Sequence, residues 1–103
     1  MATTNKVFIP TSWVPDKITV SASSQSVALT GLTKSEDSIE ITNLTTETIY
    51  VSFSAGAGTA TTNSVGITTG SKVCYGLAPD VTYANAIGTG STGVIQFLVG
   101  KGA

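Results

Sequence analysis

From Ile39 onward the chain alternates apolar and polar side chains with strict period two. Ile39 and Ile41 are separated by Glu40, and Ile49, Val51 and Phe53 are separated by Tyr50 and Ser52. Side chains point alternately to opposite faces of a strand but recur about every 3.6 residues on a helix, so this spacing gathers one apolar face only on extended backbone. Elsewhere Gly, Thr and β-branched residues interrupt every window long enough for a helix, and no amphipathic helix is expected. The connection Asn43-Leu44-Thr45-Thr46-Glu47-Thr48 is short enough for an antiparallel link, which predicts that Ile39, Ile41, Val51 and Phe53 share one buried face.

The same reading extends along the chain. Ile18-Thr19-Val20-Ser21-Ala22 alternates, breaks at Ser23-Ser24-Gln25, and resumes at Ser26-Val27-Ala28-Leu29, the pattern of a first hairpin. Lys34-Ser35-Glu36-Asp37-Ser38, the most charged stretch, is expected to be a solvated turn. Ser54 to Thr62 is rich in Gly, Ala and Thr, too poor in large side chains to build core, and reads as a long loop. Lys72-Val73-Cys74-Tyr75 and Val81 to Ala86 read as two further strands. The nearly continuous apolar run Val94-Ile95-Gln96-Phe97-Leu98-Val99 reads as a strand covered on both sides. Six to eight short strands with a turn about every ten residues predict an all-β fold, an antiparallel β-sandwich or small β-barrel. Residues 16–103 are assigned to one β domain. Residues 1–15, with Pro10 and Pro15, are assigned to an extended N-terminal arm or edge strand, because proline supplies no ladder donor.

Composition narrows the function. The 103 residues include no histidine and no arginine, five lysines and six acids, for a net charge of −1. Histidine is the usual general base near neutral pH and the commonest metal ligand, and arginine the usual bidentate clamp for carboxylate or phosphate. No enzymatic activity and no cofactor are therefore expected. Five dispersed lysines form no basic stripe for nucleic acid. No run approaches the ~18 apolar residues of a membrane helix. The N-terminus carries no secretory pattern and Cys74 is the only cysteine, so synthesis in a reducing cytoplasm is expected. A net charge of −1 does little to keep monomers apart, which favours assembly with itself or a larger partner.

Several motifs dissolve on inspection. Gly56-Ala57-Gly58-Thr59 and Gly88-Thr89-Gly90-Ser91-Thr92-Gly93 resemble phosphate loops in spelling, but neither opens a helix. Cys74 has no histidine to activate it and is expected to pack as a small hydrophobe. Glu36, Asp37 and Glu40 lack the spacing of a calcium loop. Asn43-Leu44-Thr45 spells a glycosylation sequon, read here as chance. Trp13, Tyr50, Tyr75 and Tyr83 could form a sugar-binding platform; the alternative is that Tyr75 and Tyr83 pack at the margin of the core and Trp13 anchors the N-terminal arm.

Ile41-Thr42-Asn43, Ile49-Tyr50-Val51-Ser52-Phe53, the small-residue loop 56–62, Gly70-Ser71, Val81 to Ile87 and the closing Val99-Gly100-Lys101-Gly102-Ala103 together resemble small structural proteins of tailed bacteriophages. The resemblance covers residues 39–103. It implies a virion component made in the bacterial host cytoplasm, a capsid decoration or cement protein bound to the head exterior, with the major capsid protein as partner. A receptor- or glycan-binding module of a tail or fibre, using Tyr75, Tyr83 or Trp13, is the alternative. Closed symmetry favours a homo-oligomer, with a trimer expected. Phe8, Ile9, Trp13 and Val14 are the candidate capsid or subunit contacts, since buried aromatics often dominate interface energy. Contacts of this kind should depend weakly on salt.

Overall fold

The computed structural model describes residues 8–90 and 93–102. The apolar run near the C-terminus becomes the longest strand and the centre of the fold. In chain order the strands are β1 (Ile9–Pro10), β2 (Asp16–Val20), β3 (Gln25–Ala28), β4 (Ser38–Asn43), β5 (Ile49–Ser54), β6 (Val65–Ile67), β7 (Lys72–Gly76), β8 (Tyr83–Ile87) and β9 (Gly93–Lys101). One edge of β9 pairs with β4, and the other pairs with β2 and then β1. β7 completes this first sheet beyond β4. The second sheet has the order β3, β8, β5, β6, and every pairing in both sheets is antiparallel.

The pairings are nested. β2 meets β9, β3 meets β8, β4 meets β7 and β5 meets β6. A long two-stranded ribbon, closed at the β5–β6 turn and folded over on itself, gives this order, which is the connectivity of a jelly roll. The chain is therefore an all-β sandwich of two antiparallel sheets. Two local expectations are corrected. Neither β2 with β3 nor β4 with β5 forms a hairpin, because each pair is split between the two sheets. Ile39, Ile41 and Val51 still meet in one core, but from opposite sheets.

That core is aliphatic, with Ile18, Val20, Ile39, Ile41, Ile49 and Ile95 among its buried members. Phe97 is fully buried and meets the Phe53 ring edge-on, with centroids 6.0 Å apart and planes at 89°. β9 is not covered on both faces. Ile95, Phe97 and Val99 point inward, while Val94, Gln96 and Leu98 are half-buried on the outer face, shielded mainly by their neighbours on β2 and β4.

The crossing from β4 to β5 rests on a buried asparagine. The Asn43 amide Nδ2 donates to the carbonyls of Glu47 (2.9 Å) and Ile67 (2.8 Å), and its Oδ1 accepts from Thr45 N at 2.9 Å. The Thr45 hydroxyl lies 2.6 Å from the same oxygen. This local turn bends the chain out of the first sheet, which is why β4 cannot continue into a hairpin. It also withdraws the sequon, since Asn43 is inaccessible and its amide is fully engaged.

Replacing Asn43 by Ala takes a donor from the buried Ile67 carbonyl and the acceptor from Thr45 N, while the Glu47 carbonyl keeps the Thr45 hydroxyl at 2.9 Å, and should cost roughly 1–3 kcal/mol. Equilibrium urea unfolding measures this, and a loss below about 1 kcal/mol would show that the crossing does not depend on the amide.

Candidate functional site

The four N-terminal candidates lie along the β1–β2 edge of the first sheet. Ile9 and Pro10 pair with Lys101 and Gly100, and pairing resumes with Asp16 opposite Phe97. Residues 11–15 thus face only Leu98 and Val99, and the surplus chain must leave the edge. Thr11 keeps contact, its amide donating to Val99 O at 3.0 Å and its hydroxyl to Gly31 O at 2.7 Å. Beyond it the backbone loops outward between Pro10 and Pro15, with Val14 N donating to Ser12 Oγ at 3.3 Å. At the tip Trp13 is 82% exposed and Val14 74%, and Ile9 on the adjoining strand is 62% exposed. Trp13 does not anchor the arm. Phe8 does so instead, half-buried against Gly100, where an added Cβ would stand 2.7 Å from the Phe8 ring and closer still to the Ile9 carbonyl. Residues 1–7 of the expected arm lie outside the described residues.

A buried carboxylate holds the end of β9 that carries β1. Asp37 accepts from Thr33 N (2.9 Å), Lys34 N (2.8 Å) and Thr33 Oγ1 (2.6 Å), and its Oδ1 lies 3.1 Å from Lys101 Nζ. Lys101 also donates to Thr33 Oγ1 and Ser35 O. Lys34 and Glu36 take left-handed φ values of 66° and 52° around this carboxylate. The acidic turn is therefore only partly solvated: Glu36 is exposed, whereas Asp37 is buried at the centre of a network. Burial pushes the Asp37 carboxyl up, but hydrogen bonds from the Thr33 side chain, the Lys34 amide, Lys101 and the Thr33 amide outweigh it and hold it below its ordinary value of 3.8.

The opposite side of the sandwich carries a cleft. β6 begins at Val65, opposite Val51, so β5 runs on past β6, and β7 is the outermost strand of the first sheet among the described residues. Between them opens a cavity of about 460 Å³, with Val51, Phe53, Val65 and Tyr75 as apolar lining and Asn63 and Ser64 on its polar side. None of its lining residues is charged. A tight turn fixes the polar side, with Ser64 N donating to Thr61 O at 2.9 Å and Thr61 N to Ser64 Oγ at 3.0 Å. This cleft has no signature in the sequence, because Val51 and Phe53 read as ordinary core and Val65–Ile67, at three residues, is too short to mark a strand.

Other candidates separate in space. Tyr50 and Tyr83 sit at opposite ends of the β5–β8 pairing and Tyr75 lies on the other sheet, while Trp13 occupies the far edge, so no four-ring platform forms. Cys74 is exposed rather than packed, because it points outward from edge strand β7. Partial burial and then the Glu40 carboxylate, 3.9 Å from its sulfur, push the thiol up, leaving it a poor nucleophile. Among the described residues no three metal-ligating side chains come together.

The small-residue loop is a strap over the outer face of the second sheet. Gly58 N donates to Asn85 Oδ1 at 3.0 Å, Ser26 Oγ donates to the same oxygen at 2.7 Å, and Asn85 Nδ2 donates to Ser54 Oγ at 3.0 Å. A Cβ at Gly58 would stand 2.9 Å from Ser54 Oγ and 3.1 Å from Asn85 Nδ2, so only glycine lets the strap sit this close.

Two outcomes test how the arm is held. Gly100→Ala should dislodge β1 while leaving the core folded, seen as faster hydrogen exchange at the Thr11 amide with core amides unchanged. Because the Asp37 pKa is lower folded than unfolded, its contribution is complete above the unfolded value and fades as pH falls through the folded one. The stability of Asp37→Asn should therefore fall less than that of the wild type between about pH 5 and pH 2 in urea titrations; parallel curves would contradict the clamp. Compared with protein-family models, with curated proteins and with solved structures, the chain finds no match.

Proposed function

We propose that the chain is a non-enzymatic virion structural protein of a tailed bacteriophage. It acts as a capsid decoration or cement protein that binds the major capsid protein on the head exterior as a homo-oligomer, a trimer being favoured. The observation that carries this proposal is the apolar projection of Trp13, Val14 and Ile9 from a strand edge that is itself tied down by β9. A large exposed aromatic costs solubility unless something covers it, and tryptophan is enriched among the residues that dominate interfaces. Jelly rolls serve in viral capsid domains and in lectins, which agrees with the proposal at the level of fold analogy.

The chemistry of the surface points the same way. With no histidine or arginine in the chain and a poorly nucleophilic Cys74, contacts are made by shape, backbone and apolar side chains. Lys17 and Lys34 then serve solubility, while Lys101 is committed to Asp37 and Lys72 lies 3.9 Å from Glu40. The alternative reading, a receptor- or glycan-binding module of a phage tail or fibre, is favoured by Tyr75 standing beside Asn63 and Ser64 at the cleft.

Purified chain mixed with undecorated capsids should co-sediment at micromolar concentration, and Trp13→Ala should weaken binding roughly tenfold or more. Raising the salt tenfold should change binding only slightly. Failure of the wild-type chain to co-sediment would count against the decoration role, and hits on a glycan array abolished by Tyr75→Ala would favour the alternative.

A further inference from the structure

The arm and the cleft lie at opposite edges of the same sheet, β1 and β2 at one end and β7 at the other. We propose that they are two halves of one contact: the Trp13–Val14 projection of one copy docks in the β5–β6–β7 cleft of a second copy. The inference rests on the arm being a contact element, as above, and names its partner as another copy of this chain.

Three observations support this occupant. The first is size, since 460 Å³ falls in the range of side-chain and small-ligand pockets and admits an indole with a neighbouring aliphatic group. The second is charge. Residues 9–15 contain no charged side chain and neither does the cleft lining, so closing one on the other desolvates no ion, and a net charge of −1 opposes association little. The third is chemistry at the two rims. Ser12 flanks the indole on the projection, and Asn63 and Ser64 border the apolar lining, giving neutral hydrogen-bonding groups around an apolar centre on both sides.

The geometry is head-to-tail. Because projection and cleft occupy opposite edges, no copy can satisfy both within a single pair. The contact is heterologous and closes into a ring or continues as an open chain, depending on the rotation from copy to copy. Burial of an indole and its neighbour removes about 200–300 Å² from water on that side, well short of the ~800 Å² per partner of a standard interface. Association is accordingly weak, in the range of about 10–500 µM, and becomes effective when copies are concentrated on a common surface.

Sedimentation velocity and Trp13 fluorescence of the full chain, from a few micromolar to about 1 mM, test this. Trp13 is the only tryptophan, so its emission reports the contact directly. Wild-type chain should gain mass with a parallel shift of emission to shorter wavelength. Trp13→Ser and Val65→Arg, both at exposed positions, should keep the wild-type melting temperature and remain monomeric. Mixed together, these two variants should form a one-to-one pair and nothing larger, because the intact projection of Val65→Arg meets the intact cleft of Trp13→Ser.

A wild-type chain that stays monomeric with unchanged emission to about 1 mM overturns the inference. So does association that persists in Trp13→Ser, or a mixture that does not pair. If free chain stays monomeric yet binds capsids through Trp13, the self-docking fails and the decoration role stands. If the chain self-associates as described but does not bind capsids, the decoration role fails and the docking stands.

Discussion

The pairing of β9 along both of its edges is the constraint on which the rest depends. β4 occupies one side of it and β2 and β1 the other, so the start and the end of the described chain are hydrogen-bonded to each other. Most of the contact pattern follows from that closure. Once β2 is zipped to β9, β3 and β8 lie beside each other at the next turn, and the nested order continues to β5 and β6. Nearly all pairings are between residues distant in sequence, so the entropy of many loops is lost before the contacts form, and folding is expected on the slow side for a domain of this size.

Two buried asparagines settle choices that hydrophobic patterning leaves open. An alternating sequence states which face is apolar but not whether the next strand turns back in the same sheet or crosses to the other. At Asn43 the side chain satisfies the carbonyls of Glu47 and Ile67 and bends the backbone into the crossing. At Asn85 a side chain on the outer face of β8 is buried by a strap of small residues rather than by core. A buried amide is stable only with its partners in place, so each asparagine favours one arrangement over competitors that would leave it unpaired.

The strand positions from Ile39 to Phe53 and from Val94 to Val99 were legible because period two is a local property of the sequence. The sheet partners were not. Hairpins expected for β2–β3 and β4–β5 became crossings, since the separation of strands carries no mark of the sheet each one joins. Asp37 read as solvated because its neighbours are charged, and only the fold brings Lys101 across to it. At the candidate site, the apolar content of residues 8–14 was plain, but the division of labour was hidden. Phe8 seats against Gly100 while Trp13 points outward, a consequence of the five residues that must fit opposite two on β9. The cleft was invisible because it is a missing neighbour, the late start of β6, rather than a residue type.

The two edges of the first sheet solve the same hazard differently. Free strand edges invite indiscriminate pairing with other chains. On the β1–β2 side the excursion at residues 12–15, between Pro10 and Pro15, breaks the ladder and replaces a row of backbone donors with an apolar projection. On the β7 side the edge is short, Lys72 stands at its start, and the neighbouring sheet opens into the cleft. Each device suppresses generic strand addition and leaves a surface of defined shape. With so few charges available, shape is the means of discrimination left to this chain, and an excursion held by Thr11 and Phe8 keeps that shape fixed before any partner arrives.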